Sequence, residues 1–287
     1  MVMTFNRPTA LARCLQSLVA QCIGSHTFEV VLVDVSQPPV NHVVEAFAEQ
    51  LLISHRIAAN QGVAGNRNLG AESARGSLLV YLDDDCVADP YWLEAILQAA
   101  KRYPDRMIGG RVNNLHPESL VACVSQLITE AVDATFNPPG SEPKFFAGLN
   151  FAVPRKDYLT LGGCDVTYGR LAAEDRDFCR RWRASGRYLV KASDAVVIHE
   201  HRKDLNGFWR QYFNYGRGAY RFSKEKDSMK TSTTISKHLR LIQELKRILC
   251  QSPGSQRPVL MMLLVVWEVA NTAGFIWKAA QDILRRR

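Results

Sequence analysis

The sequence has no closely spaced pair of cysteines, and this absence excludes the commonest zinc-binding and disulfide scaffolds. Its seven cysteines are scattered, odd in number, and never form a C-x-x-C pair. A zinc ribbon needs such pairs, and a secreted disulfide framework uses an even set. We therefore expect reduced thiols and a cytoplasmic chain.

Other familiar signals are also missing. There is no G-x-G-x-x-G or G-K-S/T phosphate loop. No signal peptide is recognisable, because Asn6, Arg7 and Pro8 interrupt the first residues. Val2–Thr4 has the character of the end of a strand, so we expect either a short first strand or a natural start further upstream. The content of 47% apolar and 22% charged residues is that of an ordinary globular protein.

Three adjacent carboxylates follow a short apolar run. Leu78–Leu82 is too short for a typical helix and resembles a buried strand, and Asp83, Asp84 and Asp85 come directly after it. Ligands bind at the carboxyl ends of strands in open α/β sheets. Adjacent carboxylates repel unless a cation lies among them, and divalent cations prefer carboxylate oxygen. The pattern predicts a metal site; the alternative is a solvated acidic turn before a helix capped by Asp89.

Strand and helix signals alternate through the first hundred residues, which favours a mainly parallel sheet with right-handed crossovers. The turn Asn60–Gly70 is rich in glycine and asparagine and opens a helix. Backbone N–H groups at such a start attract phosphate, unless the turn is an ordinary cap. Strands are expected at Phe28–Val33 and Leu51–Ile57, and helices at Ala10–Ala20, Val40–Gln50 and Tyr91–Tyr103.

Seven segments, in order over about residues 2 to 201, resemble the motifs of the family 2 glycosyltransferases, whose nucleotide-binding fold is called GT-A. The resemblance implies an α/β fold with a mainly parallel sheet flanked by helices and a C-terminal helical extension. The motifs are T-x-N-R-P at Thr4–Pro8, V-V-D-D-x-S at Val30–Ser36, N-x-G-x-x-x-A-R-N-x-G at Asn60–Gly70, L-D-x-D at Leu82–Asp85, G-x-N at Gly148–Asn150, G-G-F-D … E-D at Gly162–Asp165 and Glu174–Asp175, and a strand with a histidine at Val197–His199.

The chain departs from these motifs at four positions. Val35 replaces the second aspartate of V-V-D-D, so base recognition would depend on Asp34 alone. Asn66 at the alanine of the third motif, Cys164 and Val166 are the other departures. None of the four is an expected metal ligand or catalytic base, so they bear on substrate detail more than on catalysis.

The resemblance also implies a donor site for a nucleotide sugar, with a UDP-sugar as the expected donor. Phe5 would lie against the base, Asp34 would accept its ring N–H, and Arg67 would support the base or the diphosphate. Thr4 belongs to the same set, and Asp84 would be placed for the ribose. The expected cofactor is Mg²⁺ or Mn²⁺ bridging the diphosphate oxygens, with Asp83, Asp85 and His199 as its ligands.

Asp175 would be the general base that takes the proton of the acceptor hydroxyl. A single displacement inverts the anomeric configuration and needs no covalent enzyme nucleophile. Gly148, Asn150 and Glu174 would lie on the acceptor side. The alternative is that Glu174, Asp175 and Asp177 only favour a helix N-terminus through its dipole.

The net charge is +8, and much of the excess lies after residue 200. We expect a catalytic domain at 1–222, a basic linker and amphipathic helix at 223–257, and a hydrophobic helix at 258–287. Val259–Trp267 is wholly apolar. A helix that crosses a bilayer needs about 20 apolar residues, and Glu268 would lie in the middle of such a span. We expect association with an anionic membrane surface, as one poor span or a helix lying on it. The alternative is a helix packed on the catalytic domain or a second subunit.

The resemblance implies a metal-dependent inverting glycosyltransferase. Together with the basic C-terminal third, it predicts an enzyme at the inner face of the cell membrane that acts on a lipid-linked or cell-envelope glycan. Gln211–Tyr215 lacks the arginine and tryptophan of Q-x-x-R-W, which argues against a processive polymerase. No nucleic acid partner is expected, because no base-reading module accompanies the basic residues. Two alternatives stay open: a sugar-1-phosphate nucleotidyltransferase, which needs a glycine-rich basic loop after its first strand, and a non-catalytic basic metal-binding peripheral protein.

Overall fold

The computed structural model describes residues 1–225 and 232–285, with eight strands, ten α-helices and one short 3-10 helix in these ranges. The strands are β1 (Val2–Thr4), β2 (Val30–Asp34), β3 (Ile53–Ile57), β4 (Leu78–Leu82), β5 (Cys86–Ala88), β6 (Met107–Asn114), β7 (Asn150–Pro154) and β8 (Leu189–His199). The helices are α1 (Pro8–Val19), α2 (Asn41–Phe47), α3 (Gly62–Ser73), α4 (Trp92–Arg102), α5 (Leu120–Phe136), α6 (Arg155–Thr160), α7 (Glu174–Ala184), α8 (Leu205–Glu225), α9 (Ser232–Gln251) and α10 (Arg257–Leu284).

The first sheet is parallel and has the order β1-β2-β3. Its register pairs Thr4 with Asp34, so the loops that follow β1 and β2 leave the same edge. β4 lies beside β1, since Leu82 N donates to Met1 O at 3.1 Å. The loops after β1, β2 and β4 therefore carry the predicted donor residues to one place.

The second sheet has the order β4-β7-β6-β8-β5, and its described pairs are antiparallel. Leu82 pairs with Asn150, and Cys86 pairs with His199. The three aspartates thus form a turn between two strands of one sheet, with His199 opposite the first residue after that turn.

The apolar patterns explain these elements. α1 buries Leu11, Leu15 and Leu18 on one face, as its spacing predicts, and β2 is buried along its whole length. The ends of α1, β2, β3 and α4 lie within two residues of the predicted ones.

The chain divides into two compact units. One contains Met1–Asn113, Glu142–Arg170 and Asp175–His199, and is called the sheet unit below; the other contains Asn114–Ser141, Leu171–Glu174 and Glu200–Arg287, and is called the helical unit. The predicted domain boundaries at residues 222 and 257 stay predictions. Residues 226–231 of the predicted linker, and the last two arginines, lie outside the described residues.

Close packing of α8 and α10 dominates the helical unit. A Cβ at Gly216 would lie 1.9 Å from Asn271 O, and one at Gly274 would lie 1.9 Å from Phe213 O. Only glycine allows the two helix backbones to approach this closely. Leu260, Leu263, Trp267 and Ala270 of α10 join side chains of α5, α8 and α9 in one apolar core.

Candidate active site

The acidic turn between β4 and β5 is held by the loop that follows β1. Thr4 Oγ1 donates to Asp84 Oδ2 at 2.8 Å. Arg7 Nη1 lies 3.1 Å from Asp84 Oδ1 and also contacts Asp85 Oδ2. Burial raises the pKa of Asp84 to about 7, although Arg7 acts in the opposite direction. The turn is therefore partly buried, and its carboxylates are paired with side chains of the fold.

Asp85 and His199 have a separation that suits two ligands of one metal ion. Asp85 Oδ1 and His199 Nε2 are 3.4 Å apart. Two ligand atoms each about 2.1 Å from an ion, at angles of roughly 90° to 120°, would be about 3.0 to 3.6 Å apart. Carboxylate oxygen and imidazole nitrogen are also suitable donors for Mn²⁺ or Mg²⁺. The residues present therefore fit a divalent cation.

The neighbouring thiol and imidazole have different protonation tendencies. The Sγ of Cys86 belongs to the same group, whose ligand atoms lie within 4.8 Å of one another. Burial raises the pKa of this thiol well above its ordinary value. Burial alone would lower the pKa of His199, but Asp85 and Asp83 outweigh it and raise that pKa.

Arg67 extends from α3 toward the acidic turn. Its side chain is only 3% exposed, and Nη2 lies 3.8 Å from Asp83 Oδ1. A Cβ at Gly148 would lie 2.0 Å from the same Nη2. The absence of a side chain at Gly148 therefore creates the space that the guanidinium occupies.

Asp175 is connected to this arrangement through the same glycine. Gly148 N donates to Asp175 Oδ2 at 3.0 Å, and Arg176 N donates to Asp175 Oδ1 at 2.7 Å. Asp83, Arg67, Gly148 and Asp175 thus form one path of direct contacts within the sheet unit. Glu174 precedes Asp175 at the start of α7 and is buried.

Two predicted residues have structural partners that the sequence did not reveal. Asp34 is fully buried and accepts from Ser36 N at 2.9 Å, Val40 N at 2.8 Å and His55 Nε2 at 3.1 Å. Its carboxylate holds the loop after β2, and its predicted direct contact with a base stays a prediction.

Asn150 likewise belongs to the interior of the second sheet. Its Oδ1 accepts from Trp92 Nε1 at 2.9 Å, and its Nδ2 donates to Arg111 O and Ala195 O, each at 3.0 Å. The side chain is 2% exposed. Asn150 therefore crosslinks strands and a helix, and its predicted place on the acceptor side stays a prediction.

Phe5 has the exposure that base stacking requires, at 51%. Its loop is bonded to the loop after β2, since Asn6 N donates to Ser36 Oγ and Gln37 N donates to Asn6 Oδ1, each at 2.9 Å. Asn6 has a φ of 56°, in the left-handed region that asparagine tolerates. The two loops form a common wall.

The structure adds two residues to those given roles from the sequence. Arg7 holds two aspartates, and Asn68 anchors the loop at Gly163: Asn68 Oδ1 accepts from Cys164 N at 2.8 Å and from Tyr158 Oη at 2.7 Å. Both residues lie inside the motifs named above: Arg7 precedes Pro8, and Asn68 follows Arg67. Their membership of these motifs was the only sequence feature that pointed to them.

Similarity to known proteins identifies the enzyme class and the fold. Residues 1–118 match the profile of the family described as Glycosyl transferase family 2. These residues form a family 2 glycosyltransferase segment. The chain is 25% identical over 240 residues to a glucosyl-dolichyl phosphate glucuronosyltransferase of Haloferax volcanii. This match covers 73% of this chain and 72% of the relative. The enzyme class predicted from the motifs, a glycosyltransferase, is confirmed.

A second relative, validoxylamine A glucosyltransferase of Streptomyces hygroscopicus subsp. limoneus, is 28% identical over 71% of this chain and 52% of its own length. The chain therefore spans about half the length of this longer glycosyltransferase.

The solved structures establish the fold. A mannosyltransferase from Pyrobaculum calidifontis, in complex with GDP-Man and Mn²⁺, superposes with a TM-score of 0.69 at 15% identity, covering 100% of this chain and 86% of its own. GalNAc-T7 with UDP, GalNAc and Mn²⁺ gives a TM-score of 0.57 at 16% identity, covering 76% and 46%. The predicted GT-A fold is confirmed for this glycosyltransferase.

Proposed function

We propose that this glycosyltransferase is a metal-dependent inverting enzyme that transfers a sugar from a nucleotide sugar to an acceptor hydroxyl. The observation that carries the proposal is the path of contacts from Asp83 through Arg67 and Gly148 to Asp175. It joins the acidic turn suited to a diphosphate-bound cation to the carboxylate suited to an acceptor proton. Inversion needs these two groups and no enzyme nucleophile.

The donor side would use the wall formed by the loops after β1 and β2. Phe5 is exposed enough to stack on a base, and Arg67 presents a guanidinium suited to phosphate oxygens. Asp85 and His199, with Asp83 beside them, would hold Mg²⁺ or Mn²⁺. The bound ion would act as a Lewis acid that neutralises the charge on the departing diphosphate. The similar solved structures contain Mn²⁺, which supports this choice of cofactor.

The acceptor side would depend on Asp175. The N–H groups of Gly148 and Arg176 fix both oxygens of its carboxylate. A fixed carboxylate that reaches an acceptor hydroxyl takes its proton as the oxygen attacks, and positioned bases contribute about 10²–10⁴-fold to rate. Gly148 thus serves two groups at once, Arg67 by leaving space and Asp175 by donating a hydrogen bond.

The identity of the substrates is proposed from the relatives. A UDP-sugar is the proposed donor, and one similar structure contains UDP, while another contains GDP-Man. A lipid-linked glycan is the proposed acceptor, since one relative is named for action on glucosyl-dolichyl phosphate.

A panel of UDP-, GDP- and dTDP-sugars, incubated with the protein and Mn²⁺, tests the proposal. We expect release of a nucleoside diphosphate, stimulated by a lipid-linked acceptor and lost with EDTA. Pyrophosphate-dependent chemistry would instead indicate a nucleotidyltransferase. The absence of nucleoside diphosphate release with every donor would contradict the proposed activity.

The membrane association is proposed from α10 of the helical unit. One face of α10 packs against α5, α8 and α9, while the opposite face is exposed and apolar. By length and composition alone, this helix is long and apolar enough to cross a membrane. The exposed face consists mainly of Met261, Met262, Val265, Val269, Ile276 and Ile283.

The packing favours a helix lying in the membrane surface over one crossing the bilayer. A crossing helix would have to separate from its partners or carry them into lipid, and α9 exposes Arg240, Lys246 and Arg247. An in-plane helix keeps its packed face and inserts only the apolar one. Residues 201–287 contain 17 lysines and arginines against 6 aspartates and glutamates, which suits an anionic surface such as the inner face of the cell membrane.

Vesicle flotation tests this association. The protein should float with phosphatidylglycerol vesicles, and the double variant Val265→Glu/Val269→Glu should lose most of that binding. Gln243→Glu places a new carboxylate on an exposed position of α9 and should bind nearly normally. Unchanged flotation of the double variant would contradict lipid contact by this face. The same holds if the wild-type protein is a dimer and the double variant is a monomer, since the face would then be a contact between two copies.

A further inference from the structure

Arg7 touches both of the aspartates that follow Asp83. A single nitrogen, Nη1, lies 3.1 Å from Asp84 Oδ1 and contacts Asp85 Oδ2. The Arg7 side chain is 36% exposed, whereas those of Asp84 and Asp85 are 5% and 16% exposed. The arginine therefore reaches from the rim of the site into its buried part.

The Asp85 carboxylate lies between two partners. Its Oδ2 contacts Arg7, and its Oδ1 is 3.4 Å from His199 Nε2. The position of His199 is fixed independently, because β8 pairs with β5 in register with Cys86. The orientation of the Asp85 carboxylate is the remaining variable, and Arg7 holds the oxygen that faces away from the histidine.

Arg7 is itself anchored through Asp84. The other oxygen of Asp84 accepts a hydrogen bond from Thr4 at 2.8 Å, so this carboxylate is fixed from β1. Thr4, Asp84, Arg7, Asp85 and His199 consequently form a continuous series of contacts that ends at the proposed metal ligands.

We propose that Arg7 is a positioning residue that orients Asp85 so that its Oδ1 faces the metal site shared with His199. The inference rests on the proposed function, because it assumes that Asp85 and His199 hold the cation. Residues behind metal ligands commonly change metal affinity by about 10–100-fold when they are replaced.

Simple electrostatics predicts the opposite sign. Removing a positive charge from the neighbourhood of a cation site lowers the repulsion that the incoming ion meets, which should tighten binding. Loss of orientation should weaken binding. The direction of the change therefore distinguishes a positioning role from mere charge compensation.

The test is titration of the purified full chain with Mn²⁺ alone, followed by the electron paramagnetic resonance signal of the free ion. Arg7→Gln should weaken Mn²⁺ binding by about 10-fold or more. Arg7→Lys should stay within about threefold of wild type, since both contacts pass through one nitrogen that an ammonium can replace. Arg56→Gln removes an exposed arginine of β3 and should bind as wild type.

Arg7→Met removes the same contacts and carries the same expectation, so the conclusion does not depend on the folding of one variant. Mn²⁺ binding by Arg7→Gln that equals or exceeds wild type would overturn the proposal, as would an equal loss in Arg7→Lys. Asp85→Ala separates the two levels of inference. Normal Mn²⁺ binding by Asp85→Ala would refute the metal site itself. Loss of Mn²⁺ binding by Asp85→Ala, together with normal Mn²⁺ binding by Arg7→Gln, would refute only the role of Arg7.

Discussion

Replacement of Gly148 by alanine should impair catalysis much more than it impairs folding. The new Cβ would lie 2.0 Å from Arg67 Nη2 and 2.4 Å from Arg67 Cζ. Non-bonded carbon contacts are ordinarily about 3.5–4.0 Å, so the guanidinium must retreat by more than about 1 Å. Because the yielding atoms are the end of a side chain, we expect a stability loss near the low end of the about 1–3 kcal/mol typical of overpacked interiors.

The catalytic consequence follows from what Arg67 would lose. Its guanidinium already lies 3.8 Å from Asp83 Oδ1, and further retreat would end that pairing. Displacement of a positioning group by about 1 Å can reduce rate about 100-fold. The hydrogen bond from Gly148 N to Asp175 would also be disturbed if the backbone shifted.

Steady-state kcat/KM for release of nucleoside diphosphate, measured with thermal denaturation, checks this prediction. Gly254→Ala is the matched control, because a Cβ there would have no atom within 4 Å. We expect a loss of about 100-fold in kcat/KM for Gly148→Ala and none for the control. Wild-type kinetics in Gly148→Ala would refute the packing of Arg67 against Gly148.

Three further substitutions test separate parts of the structure. Asp175→Asn should reduce transfer by about 10²–10⁴-fold with nearly unchanged nucleotide affinity by calorimetry, and wild-type turnover would remove Asp175 from the base role. Asp34→Asn should lower the free energy of unfolding by about 1–3 kcal/mol in urea titrations, because an amide NH₂ would face N–H donors; an unchanged midpoint would contradict this. Gly274→Ala should lower the thermal midpoint, since the backbone of Phe213 cannot retreat as a side-chain end can, while Gly254→Ala should not.

The pH dependence of Asp34 has a definite sign. Burial alone would raise its pKa, but the donated hydrogen bonds of Val40 and Ser36 outweigh it and lower the pKa below 3.8. Its contribution to stability is therefore present above that pH and is lost as the pH falls through the folded-state pKa. The variant and wild type should converge in stability only in strong acid.

The sequence predicted the acidic turn from the carboxylates that follow a buried strand, and the family resemblance implied Arg67 and Asp175 as site residues. It could not show that they are joined through Gly148, because a glycine in a motif does not reveal which side chain fills the space beside it. The partners of Asp34 and Asn150 were hidden for the same reason. Residue type indicates hydrogen-bonding capacity, but only the fold decides whether the capacity is used internally.

The organisation of the later strands and of α10 was also beyond the sequence. Apolar runs indicate strands at β7 and at the end of β8, but they carry no information on strand direction, and both form antiparallel pairs. Val259–Trp267 resembled part of a span, yet alternate faces of this segment are buried and exposed. The buried face packs in the apolar core shared with α5, α8 and α9.

The most direct test of the proposed site is anomalous diffraction from crystals soaked with Mn²⁺ and UDP. An anomalous peak in bonding contact with Asp85 and His199, with diphosphate oxygens completing its coordination beside Arg67, is the predicted result. A diphosphate bound at this edge of the sheet with no peak there, or a manganese ion bound away from both side chains, would contradict the account.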